Sequence, residues 1–166
     1  MNTISALNKI MYRRIRMAKI IPTTYNYIMN FDGCSKGNPG HAGGGAVIYK
    51  DNQEIWSEHK YLGNCKTNNQ AEYGSLLIGL YQARSLSIKS LLVLGDSEIV
   101  INQMMQKYRV KSPNLIPLHK EASEITKYFD DILFMHVYRE QNTRADELSN
   151  LGISTLFEYE KSKKVN

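Results

Sequence analysis

Four acidic residues stand at the borders of predicted elements, and their types and spacing could support metal-ion chemistry. Asp32 closes one predicted strand and Asp96 another, while Glu72 lies in the first turns of a predicted helix and Asp146 opens the last helix. If the two strands are neighbours, their carboxylates meet at one edge of the sheet, where the helix acids can complete the cluster. Crowded, partly buried carboxylates cannot all stay ionised without a compensating positive charge. The pattern therefore predicts a site for divalent ions.

The identity of the ion follows from the donor atoms. Carboxylate oxygens, with few histidines or thiols nearby in the sequence, favour Mg²⁺, or Mn²⁺ as an alternative, over zinc. Such a pocket can hold two ions together with a substrate, about 3.5–4 Å apart, one activating a water and the other stabilising the departing oxygen. The predicted chemistry is phosphodiester hydrolysis.

Each acid taken alone also has a simpler explanation. An aspartate before a glycine, as at Asp32, most often forms a turn, and Asp96 followed by Ser97 can cap a helix. Glu72 and Asp146 can each be a favourable charge near a helix N-terminus. The metal site is favoured because all four stand at borders that can meet.

The hydrophobic pattern predicts the elements that position these acids. Three strands at 25–31, 43–50 and 53–62 form an antiparallel meander, followed by a helix from 67, a strand at 90–95, helices at 97–106 and 115–129, a strand at 132–138 and a helix from 143 to about 157. The last helix turns Ala145, Leu148, Ser149 and Leu151 inward. We predict an α/β fold, with a five-stranded mixed sheet of three antiparallel strands and two parallel additions, and helices on both faces.

Length and composition limit the class of protein. At 166 residues the chain suits a single domain, and 42% hydrophobic with 22% charged residues excludes a disordered or membrane-spanning chain. Cys34 and Cys65 lack CxxC spacing, so free thiols in a reducing compartment are expected. We expect an intracellular protein, cytoplasmic or nuclear.

The positive charge is concentrated at the N-terminus. Residues 1–31 hold five basic residues and no acid, whereas the rest of the chain has 16 of each sign, so the net charge of +5 describes the extension. We expect a basic extension at 1–24, a domain at 25–157 and a tail at 158–166. The extension could be dispensable or disordered, which we rank first, an organelle-targeting prefix, or an arm that grips phosphates.

Four separated motifs together carry a family resemblance. FDGCSKGNPG, TNNQAEY, LGDSEIV and NTRADELSN, in this order over 25–151, resemble the type 1 ribonuclease H family. The resemblance implies a ribonuclease H-like fold and endonucleolytic cleavage of the RNA strand of RNA/DNA hybrids, leaving 5′-phosphate and 3′-hydroxyl ends. It also implies that the catalytic, metal-binding acids are Asp32, Glu72, Asp96 and Asp146.

The resemblance further implies which residues contact the substrate. The backbone near Ser35 and Gly37 would approach the RNA minor groove and its 2′-hydroxyls, since glycine carries no side chain to block the approach. Thr67 and Asn69 resemble a pocket for a DNA-strand phosphate, although Thr67 also fits a helix cap with Gln70. The full set of expected substrate contacts is Ser35, Gly37, Asn38, Thr67, Asn68, Asn69 and Asn142.

The chain departs from the family pattern in two places. The segment 107–114, KYRVKSPN, is too short for the basic helical handle of many members. The loop before Asp146 lacks their histidine and offers Arg139, Glu140 and Asn142 instead, while His136 fits the core better.

Other classes remain as alternatives. They are a nuclease or strand-transfer enzyme of the same fold, a non-catalytic module that binds hybrid or double-stranded RNA, and a phosphoacceptor signalling domain. The expected partner is an RNA/DNA hybrid. We expect no membrane and no obligate protein partner, and we expect a monomer.

Overall fold

The computed structural model describes residues 21, 22 and 24–164, with side chains as far as Leu156 in the last helix. The strands are β1 (Tyr27–Lys36), β2 (Gly40–Lys50), β3 (Gln53–Lys66), β4 (Ser90–Gly95) and β5 (Asp131–His136). The helices are α1 (Asn68–Ser85), α2 (Glu98–Met104), α3 (Ile116–Thr126) and α4 (Thr143–Lys164), with a 3₁₀ turn at Arg139–Gln141. No helix in this described part is both long and apolar enough to span a bilayer.

The predicted domain boundaries stay predictions. Most of the extension at 1–24 lies outside the described residues. The expected boundary between 157 and 158 falls inside α4, which continues to Lys164 rather than ending near 157.

The sheet has the predicted mixed topology. Its strand order is β3-β2-β1-β4-β5, with antiparallel pairing of β1 to β2 and of β2 to β3, and parallel pairing of β1 to β4 and of β4 to β5. The fold is therefore an α/β fold in which an antiparallel meander is extended by two parallel strands. The parallel pair β1–β4 lies at the centre, so both of its strands are protected from solvent.

β1 does not end at Asp32 as predicted. Its parallel pairing with β4 stops at Phe31 opposite Gly95, but its antiparallel pairing with β2 continues to Lys36 opposite His41. β1 continues because β2 still supplies hydrogen-bond partners after β4 has ended. Asp32 consequently lies in mid-strand, just past the last residue paired with β4, and Asp96 follows at the end of β4.

Helices cover both faces of the sheet. The larger apolar core lies between one face and α1, α2 and α3, and it includes Met29, Phe31, Leu76, Leu80, Leu91, Val93 and Phe134. α4 packs on the other face, mainly over β2, β3 and β1. The prediction that Leu151 points inward was wrong, since its side chain is 45% exposed. The buried face of α4 continues through Gly152 and Ile153 instead, because Gly152 packs against the backbone of Lys60.

Three successive glycines in β2 let helices approach the sheet from both sides. A Cβ at Gly43 or Gly45 would overlap the backbone of α4 around Ser149, whereas a Cβ at Gly44 would meet Ser75 of α1. Successive residues of a strand point to opposite faces, so a strand packed closely on both sides needs glycine at consecutive positions. Gly45 also pairs directly with Asp32. The close approach therefore places α4 beside that aspartate.

Candidate active site

Three of the four predicted acids come together at the edge of the sheet. One carboxylate oxygen each from Asp32, Glu72 and Asp96 lies within 4.8 Å of the other two. β1 supplies the first, α1 the second and the residue after β4 the third. The group is the only one of its kind among the residues that the structure describes. Elements far apart in the sequence thus build one carboxylate cluster, as the sequence predicted.

Glu72 is held in the cluster by a direct contact between two backbones. Gly33 of β1 lies so close to α1 that a Cβ there would overlap the backbone of Ala71 and Glu72. The side chain of Glu72 is buried, and its oxygen Oε2 has no hydrogen-bond partner. Burial, together with the nearby charges of Asp32 and Asp96, raises the pKa of Glu72 well above its ordinary value. A buried carboxylate oxygen without a donor is a ligand position that a cation could fill.

Asp32 is also destabilised as an anion. Burial raises the pKa of Asp32 to about 6, the charges of Asp96 and Asp146 add to the increase, and a hydrogen bond from Ser149 opposes it. Two carboxyl groups with raised pKa values and only oxygen donors fit a divalent cation of the Mg²⁺ type, because such a cation supplies the charge that the cluster lacks.

The fourth acid, Asp146, lies next to this cluster but is engaged elsewhere. Its Oδ1 forms an ion pair with the guanidinium of Arg139, in the 3₁₀ turn that precedes α4. Arg139 is 71% exposed, whereas Asp146 is 28% exposed. Arg139 therefore brings a solvent-facing positive charge to the loop before Asp146.

The expected substrate residue Asn142 is buried, with 1% of its surface exposed. Its Nδ2 donates to Asp96 Oδ1 at 2.8 Å and to the carbonyl oxygen of Phe31 at 2.9 Å, and its Oδ1 accepts from Asn30 Nδ2 at 3.0 Å. The structure thus places Asn142 inside the protein, where it orients Asp96 rather than facing a substrate. The buried amide of Asn142 thus gives a hydrogen bond both to the carbonyl oxygen of Phe31 in β1 and to the carboxylate of Asp96.

The remaining expected substrate residues lie around the tight turn after β1. The backbone N–H of Ser35 donates to Asn68 Oδ1 at 2.8 Å, and the N–H of Asn68 donates to Asn38 Oδ1 at 2.9 Å. Gly37 has a φ of 110°, in the region that favours glycine. These bonds fasten the turn to the start of α1, so both present one exposed surface beside the carboxylates.

Thr67 and Asn69 lie at the same end of α1. Thr67 forms the predicted capping box: its Oγ1 accepts from the backbone N–H of Gln70 at 3.3 Å, and its own N–H donates to Gln70 Oε1 at 3.0 Å. The capping alternative for Thr67 is therefore confirmed. Asn69, in the first turn, is half-buried, and a phosphate contact by either residue stays a prediction.

Comparison with known proteins assigns the chain to a family. Residues 30–152 match the family model described as "Reverse transcriptase-like". The N-terminal RNase H domain of Rv2228c from Mycobacterium tuberculosis has 35% sequence identity and a TM-score of 0.76, with 80% of this chain and 96% of that one covered. The chain belongs to the ribonuclease H family.

Other ribonuclease H relatives are similar over the same region. Ribonuclease HI of Halobacterium salinarum is 37% identical over 120 residues, which are 72% of this chain and 60% of that protein. LC11-RNase H1, solved in complex with an RNA/DNA hybrid, has 34% identity and a TM-score of 0.75, covering 79% of this chain and 99% of that one. The full-length bifunctional protein Rv2228c is matched over only 34% of its length.

In this ribonuclease H domain the segment between α2 and α3, at which the basic helical handle was expected to be lacking, contains no helix. α2 ends at Met104 and α3 begins at Ile116, and no further helix lies between them. The intervening segment borders an open cavity of about 570 Å³ lined by Lys107, Tyr108 and Arg109 among others. Basic residues are thus present at this position, but without a helix that would project them.

Sequence reasoning missed two polar contacts of the ribonuclease H site. His136 was assigned to the core, yet it is half-buried and its Nε2 lies 3.2 Å from the carbonyl oxygen of Asp96. Ser149 was predicted only to face inward, and its hydroxyl donates to Asp32 Oδ2 at 2.6 Å. The available signal was a serine on the inward face of a helix, three residues after Asp146, because a buried hydroxyl needs a partner.

The raised pKa of Asp32 predicts how the stability of the metal-free domain varies with pH. The folded state binds the proton of the Asp32 carboxyl group more tightly than the unfolded state does, so protonation of Asp32 stabilises the fold. This contribution to the free energy of unfolding is fully present below pH 3.8 and is lost as the pH rises through about 6. A shift of this size corresponds to about 3 kcal/mol. In EDTA, we expect the free energy of unfolding of the wild type, relative to Asp32→Asn, to fall between pH 4 and pH 7.

Urea denaturation at several pH values measures this difference, and subtracting the Asp32→Asn curve removes the contribution of titrating groups that do not interact with Asp32. Mg²⁺ is expected to restore the lost stability at pH 7, because a ligand that binds only the folded state stabilises it. Parallel curves for the two proteins in EDTA would contradict the prediction.

Proposed function

We propose that this domain is a Mg²⁺-dependent endonuclease that hydrolyses the RNA strand of RNA/DNA hybrids, leaving 5′-phosphate and 3′-hydroxyl ends. The observation that carries the proposal is the cluster of Asp32, Glu72 and Asp96, whose oxygens lie within 4.8 Å of one another and include one buried oxygen without a hydrogen bond. Family membership and the relative solved with a hybrid support the same chemistry.

The four acids would hold two ions, with Mn²⁺ able to replace Mg²⁺. Bound ions of this kind activate a water for attack on the phosphodiester and stabilise the departing 3′-oxygen. Asp32, Glu72 and Asp96 supply the inner carboxylates, and Asn142 fixes the orientation of Asp96 through its 2.8 Å hydrogen bond. Asp146 could join them if its ion pair with Arg139 opened, and the released guanidinium would then be free to donate hydrogen bonds to a phosphate of the substrate.

Recognition of RNA is assigned to the turn after β1 and the start of α1. The turn is exposed at Gly37 and Asn38, and its hydrogen bonds to Asn68 hold it rigidly beside the carboxylates. A rigid backbone that lies close to the minor groove can contact the 2′-hydroxyl, which is the group that distinguishes RNA from DNA. The proposed contacts with the substrate are Ser35, Asn38, Asn68 and Asn69. Thr67 caps α1 and is also proposed to contact a phosphate.

Cleavage of matched substrates tests the proposal. The full chain is incubated with RNA/DNA, RNA/RNA, DNA/DNA and single strands of one sequence, each with Mg²⁺, Mn²⁺ or EDTA, and the termini of the products are analysed. We expect cleavage of the RNA strand of the hybrid alone, with either metal and not with EDTA. Cleavage of DNA/DNA at the same rate would exclude recognition through the 2′-hydroxyl.

The second candidate function is a non-catalytic module that binds hybrid or double-stranded RNA. The same assay separates it from the nuclease, because such a module would bind the hybrid in a gel-shift experiment without cutting it under any metal condition. The carboxylate cluster favours the nuclease, since binding alone does not require three acids, two of them buried, to lie within 4.8 Å of one another.

A further inference from the structure

Ser149 links the last helix to the first acid of the site. It lies on α4, three residues after Asp146, and none of its surface is exposed. Its Oγ is 2.6 Å from Asp32 Oδ2 and 2.9 Å from the backbone carbonyl oxygen of Asp146. One hydroxyl thus touches a predicted metal ligand from β1 and the backbone of another from α4.

The hydrogen of this hydroxyl is available to Asp32. A serine has one hydrogen to donate, and the carboxylate of Asp32 and the carbonyl oxygen of Asp146 both accept, whereas the thiol of Cys34, a third hydrogen-bonding neighbour of Ser149, is a weaker acceptor than either oxygen. The carbonyl oxygen of Asp146 also accepts from Asn150 Nδ2 at 2.8 Å, so it stays hydrogen-bonded when Ser149 donates elsewhere. A hydrogen bond to a carboxylate is about twice as strong as one to a neutral carbonyl. The hydroxyl therefore donates to Asp32 rather than to its own helix.

Close packing fixes the position of the serine. A Cβ at Gly43 would overlap the carbonyl oxygen of Ser149, and a Cβ at Gly45 would overlap Leu148 and the backbone N–H of Ser149. Since Gly45 is the residue paired with Asp32 in the sheet, the helix backbone is held against the strand that adjoins the acid. The backbone of Ser149 therefore cannot move far from Asp32 without separating α4 from β2.

Ser75 provides an internal comparison. It is also fully buried, it lies on α1, and it faces the same glycine segment of β2 from the other side of the sheet. Its Oγ donates to the carbonyl oxygen of Ala71, four residues earlier in its own helix, at 2.8 Å. A buried helical serine can thus be satisfied by its own helix, and Ser149 differs from Ser75 by its contact with a carboxylate.

We propose that Ser149 is a positioning residue for the metal site: its hydroxyl holds Asp32 Oδ2 and so keeps the carboxylate in the one orientation that faces Glu72 and Asp96. The inference rests on the proposed function, since it concerns the ions that these acids would bind. Partners that orient a metal ligand typically contribute 10–100-fold to metal affinity or activity. Loss of the hydroxyl is therefore expected to weaken metal binding while leaving the fold in place.

The experiment compares Ser149→Ala and Ser75→Ala in the full chain. Binding of Mn²⁺ is measured by calorimetry without nucleic acid, and hybrid cleavage is measured as a function of Mg²⁺ concentration. We expect Ser149→Ala to weaken Mn²⁺ binding about tenfold and to shift the Mg²⁺ dependence of cleavage by a similar factor. Ser75→Ala is expected to match the wild type in both measurements.

Thermal unfolding separates this role from a purely structural one. For each variant, the melting temperature with Mn²⁺ is compared with its own value in EDTA, so that a change in packing cancels. The metal-induced rise is expected to shrink for Ser149→Ala alone. Unchanged Mn²⁺ affinity of Ser149→Ala, or an equal loss in Ser75→Ala, would overturn the positioning role while wild-type cleavage remained. A wild type that binds no Mn²⁺ and cuts no hybrid would overturn the proposed function as well.

Discussion

Asp32→Asn and Asp96→Asn are each expected to reduce the rate of Mg²⁺-dependent cleavage of the hybrid about a thousandfold or more. The amide keeps the size of the side chain but removes the charge that would hold the ion, and several kcal/mol of transition-state stabilisation depend on that ion. The rate is measured on a labelled hybrid under saturating Mg²⁺. The fold is expected to persist, because Asn at 32 can still accept from Ser149 and Asn at 96 can still accept from Asn142.

Asp51→Asn is the matched control for these substitutions. Asp51 is an exposed acid in the turn between β2 and β3, where its φ of 50° suits asparagine as well as aspartate. The rate of hybrid cleavage by Asp51→Asn is expected to equal that of the wild type. Asp32→Asn should also unfold at a higher temperature than the wild type in EDTA at pH 7, since it removes a buried charge. Near-normal turnover of either active-site variant would remove that residue from the metal set.

Gly33→Ala is expected to destabilise the protein by about 3 kcal/mol or more and to reduce cleavage strongly even where the variant is folded. The added methyl group would overlap the backbone of Ala71 and Glu72, and two backbones cannot yield as the end of a flexible side chain can. Relief of the overlap must separate α1 from β1, which moves Glu72 away from Asp32. Chemical denaturation measures the first effect, and hybrid cleavage below the melting temperature measures the second.

Gly74→Ala distinguishes this effect from a general cost of replacing glycine. Gly74 lies in α1, two residues after Glu72, and the three atoms nearest to a Cβ there all belong to the flexible side chain of Leu62, at 3.0 Å or more. Alanine is favoured over glycine in a helix by about 1 kcal/mol, so this variant is expected to be as stable as the wild type or more stable, with full activity. If Gly33→Ala melted and cut the hybrid like Gly74→Ala, the close approach of β1 and α1 would not be what places Glu72.

Much of the fold followed from local pattern. The apolar run of β4 was predicted with its observed bounds, Ser90–Gly95, and the capping box at Thr67 marked the start of α1 correctly. Both signals are local, because a buried strand reads as a continuous apolar run and a cap involves residues three apart. The predicted end of β1 was wrong. The length of the strand depends on how far β2 pairs with it, and the sequence of β1 alone does not contain that information.

The acids of the candidate site could be predicted from the sequence, whereas the contacts of the residues around them were harder to predict. Asp32, Glu72 and Asp96 were found from their places at element borders, and the structure brings them together. Asn142 was assigned to the substrate from its place in a motif, but the structure buries it against Asp96. A motif gives the residue and its spacing, whereas the direction of a loop side chain depends on the elements that pack around it.

The sequence by itself determined the type and order of the elements, the all-oxygen donor set and the family resemblance, because these depend on residue type and short-range order. Only the tertiary structure decided that Asp146 pairs with Arg139 and that Ser149 reaches Asp32, a residue 117 positions away. The physical reason is that a hydrogen bond or an ion pair forms over about 3 Å, so it depends on how closely helices and strands approach. In this domain the glycines at 33, 43 and 45 let α1 and α4 approach the sheet closely, and their effect on the site appears only once the chain is folded.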